Sequence, residues 1–157
     1  MPPLRSKQTE SLIITDVTIH YLQMTDRSQL RTKAAPAGLT VECVTPANGA
    51  MNQRFYREVG AGWAWHDQLG WSIQQWREYA ERDVLSTWIA RSNGNEVGYA
   101  ELERQGGGDV ELRYFGLLPV FIGRGLGATV LTRMVEIAWS LPDGCGCILA
   151  RTTIPML

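Results

Sequence analysis

The chain has 157 residues, of which 45% are hydrophobic and 20% are charged, and its formal net charge at pH 7 is −1. This length and composition are typical of one globular domain, over residues 1–157, with a core of its own. The small net charge argues against nucleic acid as the main partner, because neutralising phosphates requires clustered lysine and arginine.

Nothing in the sequence indicates a membrane or a secretory route. No apolar run reaches the roughly 20 residues of a membrane-spanning helix. Residues 1–10 are polar and lack the apolar segment of a secretory signal. We therefore expect this segment to be disordered and the protein to be cytoplasmic, with no membrane partner.

The chain has three cysteines, Cys43, Cys145 and Cys147, and an odd number does not make a disulfide framework. The Cys145-x-Cys147 pair has no second pair of ligands at a useful spacing, so we expect no zinc or other metal. Free thiols in a reducing compartment are the interpretation that the sequence favours.

The first part of the chain predicts one or two strands. Residues 17–24 alternate as a strand does, and we assign no role to His20 within them. Residues 25–38 contain charges, Pro36 and Gly38, which is typical of a connection. Residues 39–44 form either a second strand or a continuation of the first.

Two helices are predicted next. Asn48 can cap a helix that runs through residue 59 and ends at Gly60. Ser72 and Gln75 have the spacing of a capping box, which predicts a second, short helix to about Arg82. Between the helices lies a loop with three tryptophans.

Three strands and a helix follow. Residues 84–90 and 96–103 read as a hairpin, because Asn93-Gly94 is a strong turn signal between them. Gly106, Gly107 and Gly108 lead into a strand over residues 109–118, which Pro119 ends. A helix then follows, with five apolar residues on one face: Leu126, Val130, Met134, Ile137 and Ala138.

The turn between that strand and that helix suits an anion. Gly123, Gly125 and Gly127 alternate with Arg124 and Leu126. A helix start presents unpaired backbone N–H groups and the positive end of the helix dipole, and glycine lets an anion approach the backbone closely. The turn therefore predicts a phosphate or pyrophosphate site.

Two other interpretations of this turn remain. Gly123-x-Gly125-x-x-Ala128 also fits the dinucleotide fingerprint, with Asp143 as the ribose-binding acid. That fold needs several parallel strands, and few residues follow the helix. Alternatively, the turn is a glycine-rich connection that binds nothing.

The stretch resembles the central motif of the GNAT acyltransferases, [QR]-x-x-G-x-[GA] after a strand that ends in x-V-x-P. Leu117 takes the valine position, Pro119 the proline, and Gly125 and Gly127 the motif glycines, whereas Ile122 stands where the family has glutamine or arginine. The resemblance implies an α+β fold, a mixed and mainly antiparallel sheet with helices on both faces, whose recognisable core is residues 84–139. It also implies acetyl-CoA as the acyl donor, with its pyrophosphate on backbone N–H groups from Gly123 to Ala128 and its pantetheine arm paired with the Leu117 backbone. The cofactor-binding residues that it implies are Leu117, Leu118, Gly123, Arg124, Gly125, Leu126, Gly127 and Ala128.

The same resemblance implies a base and an acceptor site. Glu111 lies six residues before Leu117, where lysine-acetylating members have a glutamate that removes the amine proton, and alternation would place both on one face with Arg113 and Phe115. Glu101 and Glu103 are the alternatives, and a purely structural pairing of Glu111 with Arg113 is the other interpretation.

The helices around the tryptophan loop cover the acceptor in similar proteins. Trp63, Trp65, His66 and Trp71 are therefore candidates for contacts with a small amine or with a peptide or protein amine, unless they only fill core. A homodimer is left open.

The end of the chain departs from the family pattern. The residues after the helix supply at most one strand, so we expect the last strands of the fold to be missing, by truncation or by a frame shift after about Leu141. No tyrosine lies beyond Tyr114 to protonate the thiolate. The resulting alternative function is a catalytically degenerate fold that binds CoA or a partner protein without turnover.

Overall fold

The computed structural model describes residues 17–142 and 146–155. Residues 1–10, Asp143 and Cys145, on which some of the predictions above rest, lie outside the described residues. Cys43 and Cys147 are thiols, and neither forms a disulfide.

One six-stranded sheet organises the chain, in the spatial order β1-β6-β5-β4-β3-β2. Neighbouring strands are antiparallel except for β5 and β6, which are parallel. The strands are β1 (Val17–Met24), β2 (Leu39–Cys43), β3 (Leu85–Ser92), β4 (Asn95–Arg104), β5 (Val110–Leu117) and β6 (Ile148–Pro155). This mixed, mainly antiparallel sheet confirms the predicted fold class.

The three helices cover both faces of the sheet. Helices α1 (Gly49–Gly60) and α2 (Ile73–Ala80) bury aromatic side chains against one face, where Tyr99 of β4 and Tyr114 of β5 meet them. Helix α3 (Gly127–Ser140) buries its apolar side on the other face, against Ala100, Leu102 and their neighbours. Burial of these two apolar clusters is the main stabilising contribution to the fold.

The predicted helix starts are confirmed by their caps. The Asn48 side chain accepts a hydrogen bond from the Met51 N–H at 3.2 Å, and Ser72 and Gln75 form a reciprocal capping box. Helix α1 includes Gly60 as its last residue, and α2 ends at Ala80 rather than at Arg82. Among the described residues, no helix has the length and apolar character needed to cross a bilayer.

The first two strands lie at opposite edges of the sheet. Strand β1 pairs with β6, and β2 pairs with β3. Residues 39–43 are therefore a separate strand and do not continue the first. The predicted hairpin is also confirmed, because β3 and β4 pair around Asn93-Gly94, both with positive φ.

Close contact between α1 and α2 depends on Gly49. A Cβ at this position would lie 2.6 Å from the Arg77 backbone nitrogen and 2.7 Å from the Trp76 carbonyl carbon. We expect Gly49→Ala to lower the free energy of unfolding by about 1–3 kcal/mol, because backbone atoms must move apart. Urea denaturation measures this, with Gly62→Ala as the control, since nothing lies within 4 Å of a Cβ there. Equal stability of the two variants would contradict it.

Candidate active site

A cavity opens where β5 and β6 part. The two strands pair only from Val110–Leu112 to Ile148–Ala150, although β5 continues to Leu117 and β6 to Pro155. The cavity has a volume of about 770 Å³ and is lined by both strands beyond their last pair. Parallel strands that separate in this way leave backbone groups exposed to whatever occupies the gap.

Strand β1 supplies part of the cavity wall. Ile19, Leu22 and Met24 line the cavity together with Leu131 and Val135 of α3. The sequence predicted β1 as a strand but not its place beside β6. Because the last strands of the fold were expected to be missing, this wall of the cavity was expected to be incomplete. In the structure, β6 and β1 form it together.

Leu117 directs its backbone into the cavity. Leu118 donates a hydrogen bond to the Val97 carbonyl at 2.8 Å. Because successive residues of an antiparallel ladder point alternately toward and away from the partner strand, Leu117, opposite Gly98, directs its N–H and C=O away from β4 and toward the gap. The Leu118 carbonyl accepts from Phe121, so both backbone groups of Leu118 are occupied, and only its side chain remains for a cofactor contact.

The glycine turn ends at an uncapped helix terminus. Gly123 and Gly125 have φ values of +81° and +77°, which favour glycine. Leu126 is the N-cap of α3 and makes no side-chain capping bond, and the first turn contains no acidic residue. The first intrahelical bond runs from the Val130 N–H to the Leu126 carbonyl, which leaves earlier N–H groups for an anion.

Side chains around the turn are mostly apolar. Gly127 and Ile122 line the cavity, so the position where the family has glutamine or arginine presents an aliphatic side chain there. The Arg124 guanidinium lies 5.4 Å from the centre of the Phe121 ring. Ala128, one residue into α3, is exposed. The residues present fit a pyrophosphate held by backbone groups, as predicted for this turn.

Three of the four predicted acceptor contacts reach the cavity. Trp63, Trp65 and His66 line it, and Trp65 packs on the Tyr114 ring with 4.8 Å between the centroids. Trp71 does not line the cavity, because it packs on Trp76 and Tyr79 in the core of the helical face. These contacts favour the core-filling interpretation of Trp71.

A β-bulge at Arg113 corrects the predicted face of Glu111. Tyr114 lies opposite Glu101, but Leu112 lies opposite Leu102, so Arg113 is an extra residue in β5. After the bulge, each side chain of β5 points to the face opposite to the one that regular alternation would give it. Leu117 and Phe115 therefore pack with α3, whereas Glu111 lies on the face of α1 and α2, and the expected shared face was wrong.

Glu111 lies in a charged cluster beside the cavity. Its carboxylate accepts a hydrogen bond from Gln105 at 3.2 Å and lies 3.7 Å from Arg113 and 3.6 Å from Arg151. Glu103, the residue opposite it on β4, accepts from Arg82 at 2.7 Å and lies 3.5 Å from Arg113. Both carboxylates are mostly buried, and neither lines the cavity itself.

Glu101 is the most buried carboxylate of the described residues. Its side chain is fully inaccessible and accepts hydrogen bonds from the Tyr79 hydroxyl and the Asn52 amide. Burial raises the pKa of Glu101 to about 7, and the bonds from Tyr79 and Asn52 only partly offset this rise. Glu101 and Glu103 share a face, as predicted, but Glu101 is not among the residues that line the cavity.

Two cavity residues had no sequence signal. Asp67 follows His66 in the tryptophan loop, and Tyr114 lies next to the bulge. Burial raises the pKa of the Tyr114 hydroxyl, which keeps it protonated at neutral pH. No group of three or more potential metal ligands occurs in the described part of the chain.

The topology excludes the dinucleotide interpretation. β5, α3 and β6 do form one parallel βαβ unit, but every other pair of neighbouring strands is antiparallel. A dinucleotide-binding sheet requires further parallel strands around the glycine turn.

Comparison with known proteins points to one family. The model of the acetyltransferase (GNAT) family matches residues 48–155, including the stretch after Leu141 where a change of reading frame was expected. No curated protein matches the chain.

Solved structures share the fold at low identity. A GCN5-related N-acetyltransferase from Kribbella flavida is 18% identical, with a TM-score of 0.59 over 88% of this chain and 56% of its own. One from Sphaerobacter thermophilus is 12% identical, with a TM-score of 0.66 over 90% and 44%. A spermidine N-acetyltransferase from Vibrio cholerae, in complex with CoA and spermine, is 12% identical, with a TM-score of 0.55 over 69% and 68%. The chain spans about half the length of the first two.

Proposed function

Because the chain belongs to the GNAT acetyltransferase family, we propose that it transfers an acetyl group from acetyl-CoA to an amine acceptor. The observation that carries this proposal is the parting of β5 and β6 around a cavity that reaches the uncapped start of α3. An elongated ligand with an anionic pyrophosphate fits such a cleft.

The backbone of this chain would hold the acyl donor. N–H groups of the turn from Gly123 to Ala128 would bind the pyrophosphate, and the unpaired N–H and C=O of Leu117 would pair with the pantetheine arm as an added strand does. Bound in this way, acetyl-CoA supplies a thioester. The apolar walls around Leu22 and Leu131 limit the access of water to it.

In the reaction, a C–N bond forms, the C–S bond breaks, the amine loses a proton and the thiolate gains one. Glu111 remains our candidate for accepting the amine proton, through water, because it lies beside the cavity. A backbone N–H near Leu117 would stabilise the negative charge that develops on the carbonyl oxygen. Tyr114, the one tyrosine among the cavity-lining residues, is our candidate donor to the thiolate.

The second candidate function is CoA or partner binding without turnover. The ion pairs of Glu111 with Arg113 and Arg151 favour it, because they match a purely structural role of this carboxylate. Calorimetry with CoA and a thiol-release assay with acetyl-CoA and mixed amines separate the two. Binding with turnover supports the first function, and binding without turnover supports the second. An absence of binding contradicts both.

Gly125→Glu tests the CoA site directly. A carboxylate there would repel the pyrophosphate, so we expect CoA affinity to fall tenfold or more, about 1.4 kcal/mol at least. Gly125→Ala is the matched control, because it introduces the same strain at φ +77° without a charge. An unchanged CoA dissociation constant in folded Gly125→Glu protein would show that the turn does not bind CoA.

A further inference from the structure

Two arginines lie at the point where β5 and β6 separate. The last pair between β5 and β6 joins Leu112 to Ala150, and Arg113 and Arg151 are the next residue on each strand. Both line the cavity. They therefore lie where the two strands separate, in the middle of β5 and before the glycine turn that follows this strand.

Neither guanidinium group has all of its N–H donors hydrogen-bonded to protein acceptors. The Arg113 guanidinium contacts the Tyr79 side chain. Its distances to carboxylates are 3.5 Å to Glu103 and 3.7 Å to Glu111, and that of Arg151 is 3.6 Å to Glu111. These are ion pairs, longer than the roughly 3.2 Å limit of a good hydrogen bond. The buried Nε of Arg113 has no hydrogen-bond acceptor among the described residues. The two side chains together retain N–H donors that a ligand could use.

The charge of the cavity wall is unsuited to polyamines. Among the described residues, those that line the cavity include two arginines and one carboxylate, that of Asp67, whereas the carboxylates of Glu103 and Glu111, which pair with the arginines, do not line it. An acceptor with several ammonium groups requires the opposite excess, because each cation needs a nearby anion once it is desolvated. Trp63 and Trp65 provide apolar surface on the same wall.

We propose that the acceptor carries a carboxylate close to its amine, as an amino acid does, and that Arg113 and Arg151 bind this carboxylate. Guanidinium groups are suited to the role, because their planar N–H donors match the two oxygens of a carboxylate. This inference rests on the proposed acetyl transfer and names the substrate class of that site.

The test compares acceptors that differ only in the carboxylate. Initial rates of acetyl transfer are measured for an L-amino acid, its carboxamide and the corresponding decarboxylated amine, with spermidine as the polycation. We expect kcat/KM for the amino acid to exceed that for the amide and the amine at least tenfold. In Arg151→Gln and Arg113→Gln this ratio should fall to near one with CoA affinity unchanged, whereas Arg133→Gln, on the exposed side of α3, should keep it.

Equal or faster transfer to the amide, the amine or spermidine would overturn the proposal. Arg151 is the more exposed of the two, so its variant keeps the test valid if Arg113→Gln fails to fold. If CoA binds but no acceptor reacts, the proposed transfer fails, and calorimetry on the CoA complex then tests the carboxylate site alone. Tighter binding of an N-acetyl amino acid than of its N-acetyl amine supports the site, and equal or absent binding overturns it.

Discussion

Glu111→Gln is expected to lower turnover about a hundredfold while CoA affinity stays the same. The amide keeps the size of the side chain and can still contact Gln105, Arg113 and Arg151, but it cannot take a proton. The loss should shrink at high pH, where the free amine is already present. Rates of acetyl transfer measured across pH 6–10 give the loss of turnover and its pH dependence, and calorimetry with CoA gives the affinity.

Asp67→Asn is the matched control, because it removes the carboxylate that lines the cavity in the exposed loop. We expect a smaller loss there than at Glu111. Full activity of Glu111→Gln at neutral pH would instead make the carboxylate structural, and Glu101 and Glu103 would be tested next.

Glu101→Gln is expected to change how stability depends on pH. A carboxyl group whose pKa is raised by folding contributes stability that is fully present below its ordinary pKa of 4.5 and is lost as pH rises through about 7. The gap between these values corresponds to about 3 kcal/mol. The glutamine variant, which is always neutral and still meets Tyr79 and Asn52, should lack this loss.

Urea unfolding at several pH values between 4 and 8 measures the effect. The variant should be more stable than the natural chain at pH 8, and the two should converge near pH 4. Glu58→Gln, at an exposed position of α1, should leave the pH profile unchanged. Parallel profiles for the natural chain and Glu101→Gln would show that Glu101 keeps its charge on folding.

Local signals predicted most of the elements. Asn48, Ser72, Asn93-Gly94 and the glycines before α3 each act within a few residues, so their capping and turn chemistry is readable without knowledge of the fold. The GNAT resemblance was confirmed because it rests on such a local strand-turn-helix unit.

Non-local features were predicted less well. The bulge at Arg113 depends on how β4 and β5 pair, and no residue in β5 signals it, so the expected face of Glu111 was wrong. The alternation of residue types in residues 17–24 indicates a strand but does not show which strand it pairs with. Charge pairing of Glu111 with Arg113 was anticipated, whereas its pairing with Arg151 requires β6 to lie beside β5.

The pairing of β1 with β6 also decides when the cleft is completed during synthesis. Residues 17–24 leave the ribosome before their partners, residues 148–155. Until those partners emerge, β1 has no strand to pair with, whereas β2, β3, β4 and β5 can already assemble. Contacts this distant along the chain form late, because closing a long loop costs entropy before pairing compensates for it. During synthesis, strands β2 to β5 and the helices can therefore form before β1 and β6 complete the cavity in which a ligand would bind.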